Sequence, residues 1–269
     1  MQMGSQQQET KDFFDSYSKE WKESAYLSDG VIQQRNNFSI DIAKKYLKGK
    51  LDLYMDAGCG TGDLVEQMSK LCLKLIGIDF AESMIEECLI LKEKQNLYNC
   101  EFLVADSLTY GEQEAFDMIS ANGFIEYISL SQLKEFTAHC FSLLKPGGII
   151  ALGSRNRLFN LVTLNTFTLD EFAVAEIVDS LLQEAVSLAS AESFNISEFE
   201  QSRSSVDYQN STYKHPKTGI RVAQRFQYTP LQMSNILSDV GFSTLEIRGC
   251  NLHSLPMKSN QRDLVPPKD

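Results

Sequence analysis

Between residues 51 and 152, short apolar runs alternate with helical patterns, and this alternation constrains the fold more than any other feature of the chain. Strand-like runs occupy 51–55, 74–78, 101–105, 116–120 and 149–152, and helical periodicity fills about 62–70, 82–95 and 131–144. Apolar strands separated by helices predict a parallel sheet covered on both faces. Lys145-Pro146-Gly147-Gly148 reads as a helix stop and a turn feeding the fifth strand.

The first strand runs into Asp56-Ala57-Gly58-Cys59-Gly60-Thr61-Gly62. Glycine permits backbone angles and close approaches that a Cβ forbids, so main chain is expected to lie directly against a ligand here. The helix that follows aims its unpaired N–H groups at the same place. A dinucleotide fingerprint needs G-x-G-x-x-G, and counting from Gly58 the third glycine position is Asp63. Asp56, two residues before the first glycine, would repel a diphosphate. A cofactor carrying an ammonium and a sulfonium would welcome it. Asp79 ends the second strand, where a carboxylate accepts hydrogen bonds from ribose hydroxyls, and Asp106 follows the third, within reach of an adenine amino group. Three acids on three successive strand tips, with the glycine loop, outline a crevice at the carboxyl edge of the sheet.

These residues resemble the class I S-adenosylmethionine-dependent methyltransferase family, of the small-molecule type. The glycine run matches that family's first motif. Asp79, Asp106-Ser107, the Phe116-Asp117-Met118-Ile119-Ser120 strand and Leu143-Leu144-Lys145-Pro146-Gly147-Gly148 match later ones. The resemblance implies a Rossmann-like, doubly wound α/β sheet of seven strands, mostly parallel, with an antiparallel last strand. It places Asp56 and Gly58 near the methionine end of S-adenosylmethionine and Asp79 at its ribose, with Ala57, Gly60 and Gly62 also among the cofactor-binding residues. Phe80 would lie beside the adenine, Asp106 and Ser107 at its edge, and Asn122 near the sulfonium, with Met84 a further cofactor-binding candidate. Tyr17, in an aromatic stripe with Phe13, Phe14 and Trp21, resembles the N-terminal segment that closes over the cofactor and substrate.

Regularity breaks after Gly153. Residues 155–220 hold a helical pattern at about 169–191 and a stretch rich in Ser, Asn and Tyr, too long for a simple crossover. They are expected to form an inserted lid on the substrate side. The expected organisation is a helical cap at 1–48, the cofactor-binding core at 49–154, the lid, core strands and a helix at 221–250, and a tail at 251–269. Within the last core segment, 221–228 and 243–248 read as strands and 231–240 as a helix. A second N-terminal helix is expected over 39–47. Arg155 and Arg157, just past the fifth strand, are candidates to pair with an anionic group of the substrate. Candidate catalytic groups are Glu126, Tyr127 and His253. His139 reads as structural and His215 as a solvated loop residue. The Glu, Glu, His metal set of some quinone-type relatives is missing at Gly123 and Tyr127, so no metal is expected.

Composition narrows the partners. The 269 residues carry a formal charge of −11, which argues against general binding of nucleic acid, since that affinity comes from phosphate neutralisation. The six cysteines form no CxxC pair, which fits reduced thiols in the cytoplasm. No apolar run reaches membrane-spanning length. The expected activity is methyl transfer from S-adenosylmethionine to an O or N atom of a small metabolite or natural-product intermediate, by a monomer or homodimer. The alternatives are an NAD(P)-dependent oxidoreductase and a cofactor-binding protein without catalysis.

Overall fold

The computed structural model describes residues 8, 10–16, 18, 31–113, 115–162, 166–190, 195–208 and 226–249. Five strands, β1 (Leu51–Ala57), β2 (Cys72–Asp79), β3 (Cys100–Val104), β4 (Phe116–Asn122) and β5 (Leu144–Gly153), form a sheet in the order β3-β2-β1-β4-β5. Every pairing is parallel. Helices α1 (Val31–Tyr46), α2 (Asp63–Met68), α3 (Glu82–Gln95) and α4 (Leu130–Leu143) cover it. The result is the expected Rossmann-like α/β architecture.

Side chains alternate across a strand, and the core divides accordingly. Tyr54, Leu75 and Met118 face Ile42 of α1, Leu64 and Met68 of α2, and Ile85 and Cys88 of α3. Their immediate neighbours Met55, Ile76 and Ile119 face Leu133, Phe136 and Cys140 of α4. Both layers are apolar, so the strands read as near-continuous hydrophobic runs.

The register aligns the strand ends. Ala57 pairs with Ile78, Asp79 with Val104, Asp56 with Ser120 and Asn122 with Gly153. The chain winds outward from β1 to β3, then returns to place β4 on the other side of β1. That reversal puts a crevice at the carboxyl end of β1, between β2 and β4. The Lys145-Pro146-Gly147-Gly148 turn lies within β5, as an irregularity in its pairing with β4: Phe116 pairs with Leu144, but Met118 pairs with Ile149.

Beyond β5 the structure departs from expectation in three places. The helix anticipated at 169–191 is two, α5 (Thr166–Phe172) and α6 (Ala175–Ser190), followed by α7 (Ile196–Gln201). The strand anticipated at 221–228 is described only from Phe226, and Tyr228 makes a single parallel bridge to Asn156. Residues 243–248 carry no strand: Phe242 packs edge-on against Phe141, and Arg248 pairs with Asp41 and Glu246. The described sheet therefore has five strands rather than seven. The expected helix near 231–240 is α8 (Pro230–Ser238), started by a Thr229–Gln232 capping box with Pro230 at its first turn.

Candidate functional site

A pocket of about 1310 Å³, open mouth included, sits at the carboxyl edge where β1, β2 and β4 end. The glycine loop forms its floor. Gly58 and Cys59 donate backbone N–H bonds to the Ile78 carbonyl, which folds the loop back over β2. Gly58 has φ +70°, and a Cβ there would lie 2.8 Å from Cβ of Phe124. Gly60 has φ +54°, and a Cβ there would meet nothing within 4 Å. Gly58 is thus a packing necessity, whereas at Gly60, which lines the pocket, a Cβ would meet no described atom.

Two of the three acids are deeply buried. Asp79 accepts N–H bonds from Gly60 and Ala81, one on each carboxylate oxygen, both at 3.0 Å. Burial nevertheless raises its carboxyl to about 6, the backbone donors offsetting only part of the cost. Asp56 is 3% exposed. Burial pushes its carboxyl well above the ordinary range, and the nearby charges of Asp79 and Asp63 push it further. Among the described residues no cation pairs with Asp56. Asp106, by contrast, is exposed, and its side chain accepts the Leu108 N–H while it lines the pocket.

Asp56, Gly58, Gly60, Asp79, Phe80, Met84, Asp106, Ser107, Asn122, Glu126 and Tyr127 all line the pocket. Asn122 donates to Ser39 Oγ at 3.1 Å. Ala57 and Gly62, expected at the cofactor, do not line it. Strand alternation turns the Ala57 side chain into the core, and Gly62 is tucked against Phe102 and Cys88. The N-terminal segment does reach the site: Thr10 and Phe14 line the pocket, and the Phe14 ring meets Tyr127 edge-on at 5.2 Å. Ser83 at the start of α3 ties that segment down, donating to Asp15 Oδ1 and to the Phe14 carbonyl. Tyr17 and His253 lie outside the described residues, as does His215.

The two arginines after β5 do not line this pocket. Arg157 is 2% exposed and grips Glu171, itself 3% exposed, with Nε and Nη2 at 2.8 and 2.7 Å; Nη1 donates to the Asp207 carbonyl. Asn160 extends the cluster, donating to Glu171 and to Gln227. Arg157 is a buried strut between the turn after β5 and α5, and its expected role at the substrate is corrected. Arg155 is also absent from the pocket lining, and its Nε donates to the pocket carboxylate Glu126 at 2.6 Å. His139 holds the Tyr110 carbonyl at 3.0 Å, a structural bond. Among the described residues no three His, Cys, Asp or Glu are grouped to hold a metal, and no helix is long and apolar enough to cross a membrane.

The pocket also contains a face of α1 that the sequence reading passed over. Ile32, Arg35 and Asn36 line it. The expected helix began at 39, but its inward positions continue backward at helical spacing through 35/36 and 32. That spacing is the signal that would have found them.

Residues 55–148 match the family described as "Methyltransferase domain". Trans-aconitate 2-methyltransferase of Escherichia coli O157:H7 is 27% identical over 135 residues, 49% of this chain and 50% of the relative. Malonyl-[acyl-carrier protein] O-methyltransferase of Bacillus cereus is 29% identical over 139 residues, 51% and 46%. The Bacillus anthracis protein of that name is 36% identical over 98 residues, 36% and 35%. The chain thus spans about half the length of the curated relatives it matches. The matched residues are those that build the glycine loop, the acidic strand tips and the turn into β5, and over this stretch the chain is similar to methyltransferase domains, in line with its resemblance to the class I S-adenosylmethionine-dependent enzymes.

Proposed function

We propose that the chain transfers a methyl group from S-adenosylmethionine to an oxygen of a small acid, most simply a carboxylate oxygen. The observation that carries the cofactor half is Asp56: a buried carboxylate facing a pocket, pushed further towards the neutral form by Asp79 and Asp63 and paired with no cation among the described residues. A site like that is completed by a cationic ligand. The open side of Gly60 and the buried carboxylate of Asp79 supply the contact surface and the acceptor that a ribose needs. When bound, the cofactor supplies a methyl group already activated by its sulfonium.

The chain's own contribution is to bind, align and exclude water. Asp56 would hold the ammonium, Asp79 the ribose hydroxyls, and Asp106 and Ser107 the edge of the base. Phe80 and Met84 would give the base an apolar bed. Asn122, Glu126 and Tyr127 are assigned to the acceptor side, with Phe14 closing the N-terminal side. Arg155 keeps Glu126 in place there.

Two observations favour an acid as acceptor over an alcohol or amine. Among the described residues no histidine lines the pocket, and a carboxylate, already ionised at neutral pH, needs no base to remove a proton. The relatives' names also point to acids, trans-aconitate and a malonyl group. The test is methyl transfer from labelled S-adenosylmethionine to a panel of di- and tricarboxylic acids, alcohols and amines, with product analysis for esters. Transfer to acids alone is expected. Stabilisation by NAD with no response to S-adenosylhomocysteine would sink the cofactor assignment.

A further inference from the structure

We propose that Arg35 is the carboxylate-recognition residue of this pocket, an inference that rests on the function proposed above. Arg35 projects from α1 into the pocket shared by Asp56, Asn122 and Glu126. Its Nε is buried and has no hydrogen-bond partner among the described residues. Its guanidinium makes no ion pair with any described residue, unlike Arg155 and Arg157, which are clasped by Glu126 and Glu171. The space it occupies exists because residue 123 is glycine: a Cβ on Gly123 would lie 3.0 Å from Nη1 of Arg35.

A guanidinium keeps its charge at any physiological pH and presents its donors in a planar fork that matches a carboxylate. A buried donor left unpaired carries its full desolvation cost, and a charged group carries more. A fold that pairs Arg155 and Arg157 but leaves this arginine facing a cavity is completed by an anionic ligand. Two carboxylates suit the pocket: the amino-acid end of the cofactor and an acid group on the acceptor. The recognition chemistry is the same for both, and binding measurements separate them.

Titration calorimetry on the full chain would compare wild type with Arg35→Met and Arg35→Lys. The probes are S-adenosylhomocysteine, its decarboxylated analogue 5′-(3-aminopropylthio)-5′-deoxyadenosine, and malonate added to the S-adenosylhomocysteine complex. If Arg35 takes the cofactor's carboxylate, Arg35→Met weakens S-adenosylhomocysteine by about tenfold or more, while the decarboxylated analogue binds both proteins alike. If it takes the acceptor's, S-adenosylhomocysteine affinity holds and malonate binding drops by a similar factor. Arg35→Lys keeps the charge but loses the fork, gives a smaller loss in the same arm, and stands in should Arg35→Met fail to fold. Unchanged affinity for both S-adenosylhomocysteine and malonate in the variants overturns the role of Arg35 and leaves the methyltransferase reading intact. A wild-type protein that binds none of the probes overturns both.

Discussion

Asp56 and Asp79 are buried at the carboxyl edge of the sheet with no cation paired to either among the described residues, while beyond β5 Arg157 is buried with Glu171 clasped against it. Both regions take charge out of water, and only one neutralises it internally. The polar groups after β5 satisfy one another: Arg157, Glu171, Asn160 and Gln227 form one hydrogen-bonded cluster. Glu184 on α6 likewise accepts the Leu231 N–H and the Ser204 hydroxyl, tying α6 to the start of α8. Such groups serve the fold. Those at the sheet edge are left in an unfavourable state that a cationic, hydroxyl-bearing ligand would relieve. The comparison separates structural from functional charge by whether the partner comes from the chain.

The largest effect that tests the comparison is on the structural side. Arg157→Met leaves Glu171 charged, buried and without its guanidinium, which should cost about 3–5 kcal/mol of stability. Pairing it with Glu171→Leu should recover most of that, because an ion pair replaced by apolar groups of similar volume is often near neutral. Denaturant unfolding of the two variants measures this. A single variant within about 1 kcal/mol of wild type would place Arg157 in a more forgiving site than its geometry indicates.

Asp56→Asn should show the reverse pattern. It removes a buried charge that the fold does not pair, so stability should hold or rise. Affinity for S-adenosylhomocysteine should fall by about 2 kcal/mol, roughly thirtyfold, as a charge-assisted contact is lost. Calorimetric binding beside thermal unfolding separates the two readouts. Loss of stability with binding intact would move Asp56 to the structural class and erase the contrast.

How far the sequence carried this distinction follows from where the information is local. The strands, α3 and α4, the glycine loop and the acids at 56, 79 and 106 were legible because each is written within a few residues: an apolar run, a glycine, a carboxylate at a strand's end. The roles of Arg155 and Arg157 were not. Their partners Glu126 and Glu171 lie 29 and 14 residues away, and no local pattern announces which acid an arginine will meet. Arg35 escaped because its helix was started at 39, outside the apolar positions that gave the helix away. Ala57 and Gly62 fall outside the pocket lining for a subtler reason. A motif names a loop, but strand alternation and packing against Phe102 decide which of its members face the ligand.

The glycine loop sharpens the comparison at a smaller scale. Gly58→Ala must bear positive φ and displace Phe124, whose Cβ would be 2.8 Å away; about 2 kcal/mol of stability should go. Gly60→Ala meets no atom within 4 Å, so only its φ of +54° is strained, about 1 kcal/mol. Gly60 lines the pocket, so S-adenosylhomocysteine binding should weaken beyond what the stability change accounts for. Equal losses of binding in the two variants, in proportion to stability, would show that the loop acts only as a turn.

Proton linkage gives the mildest test and needs no mutation. The folded carboxyl of Asp79 titrates at about 6 against an ordinary 3.8. Its folded value is raised, so between these pH values the folded state holds the proton more tightly than the unfolded one. The ligand-free protein therefore gains stability from this group as pH falls from about 6 towards 4. Ribose hydroxyls donate to the ionised form, so S-adenosylhomocysteine affinity should fall about tenfold between pH 7 and pH 5, as most of Asp79 becomes protonated. Asp117 supplies the opposite sign in a different window. Burial disfavours its charge, but Lys145 and the Leu53 and Asp52 N–H groups more than compensate and hold its carboxyl below 3.8. Its contribution to the frame persists down to about pH 4 and is lost below that, as pH falls through its folded value. Binding should therefore weaken between pH 6 and 5 while the frame stays folded. Coincident loss of binding and fold on acidification would mean that Asp79 is held by the frame as Asp117 is, and that it is not waiting for a ligand.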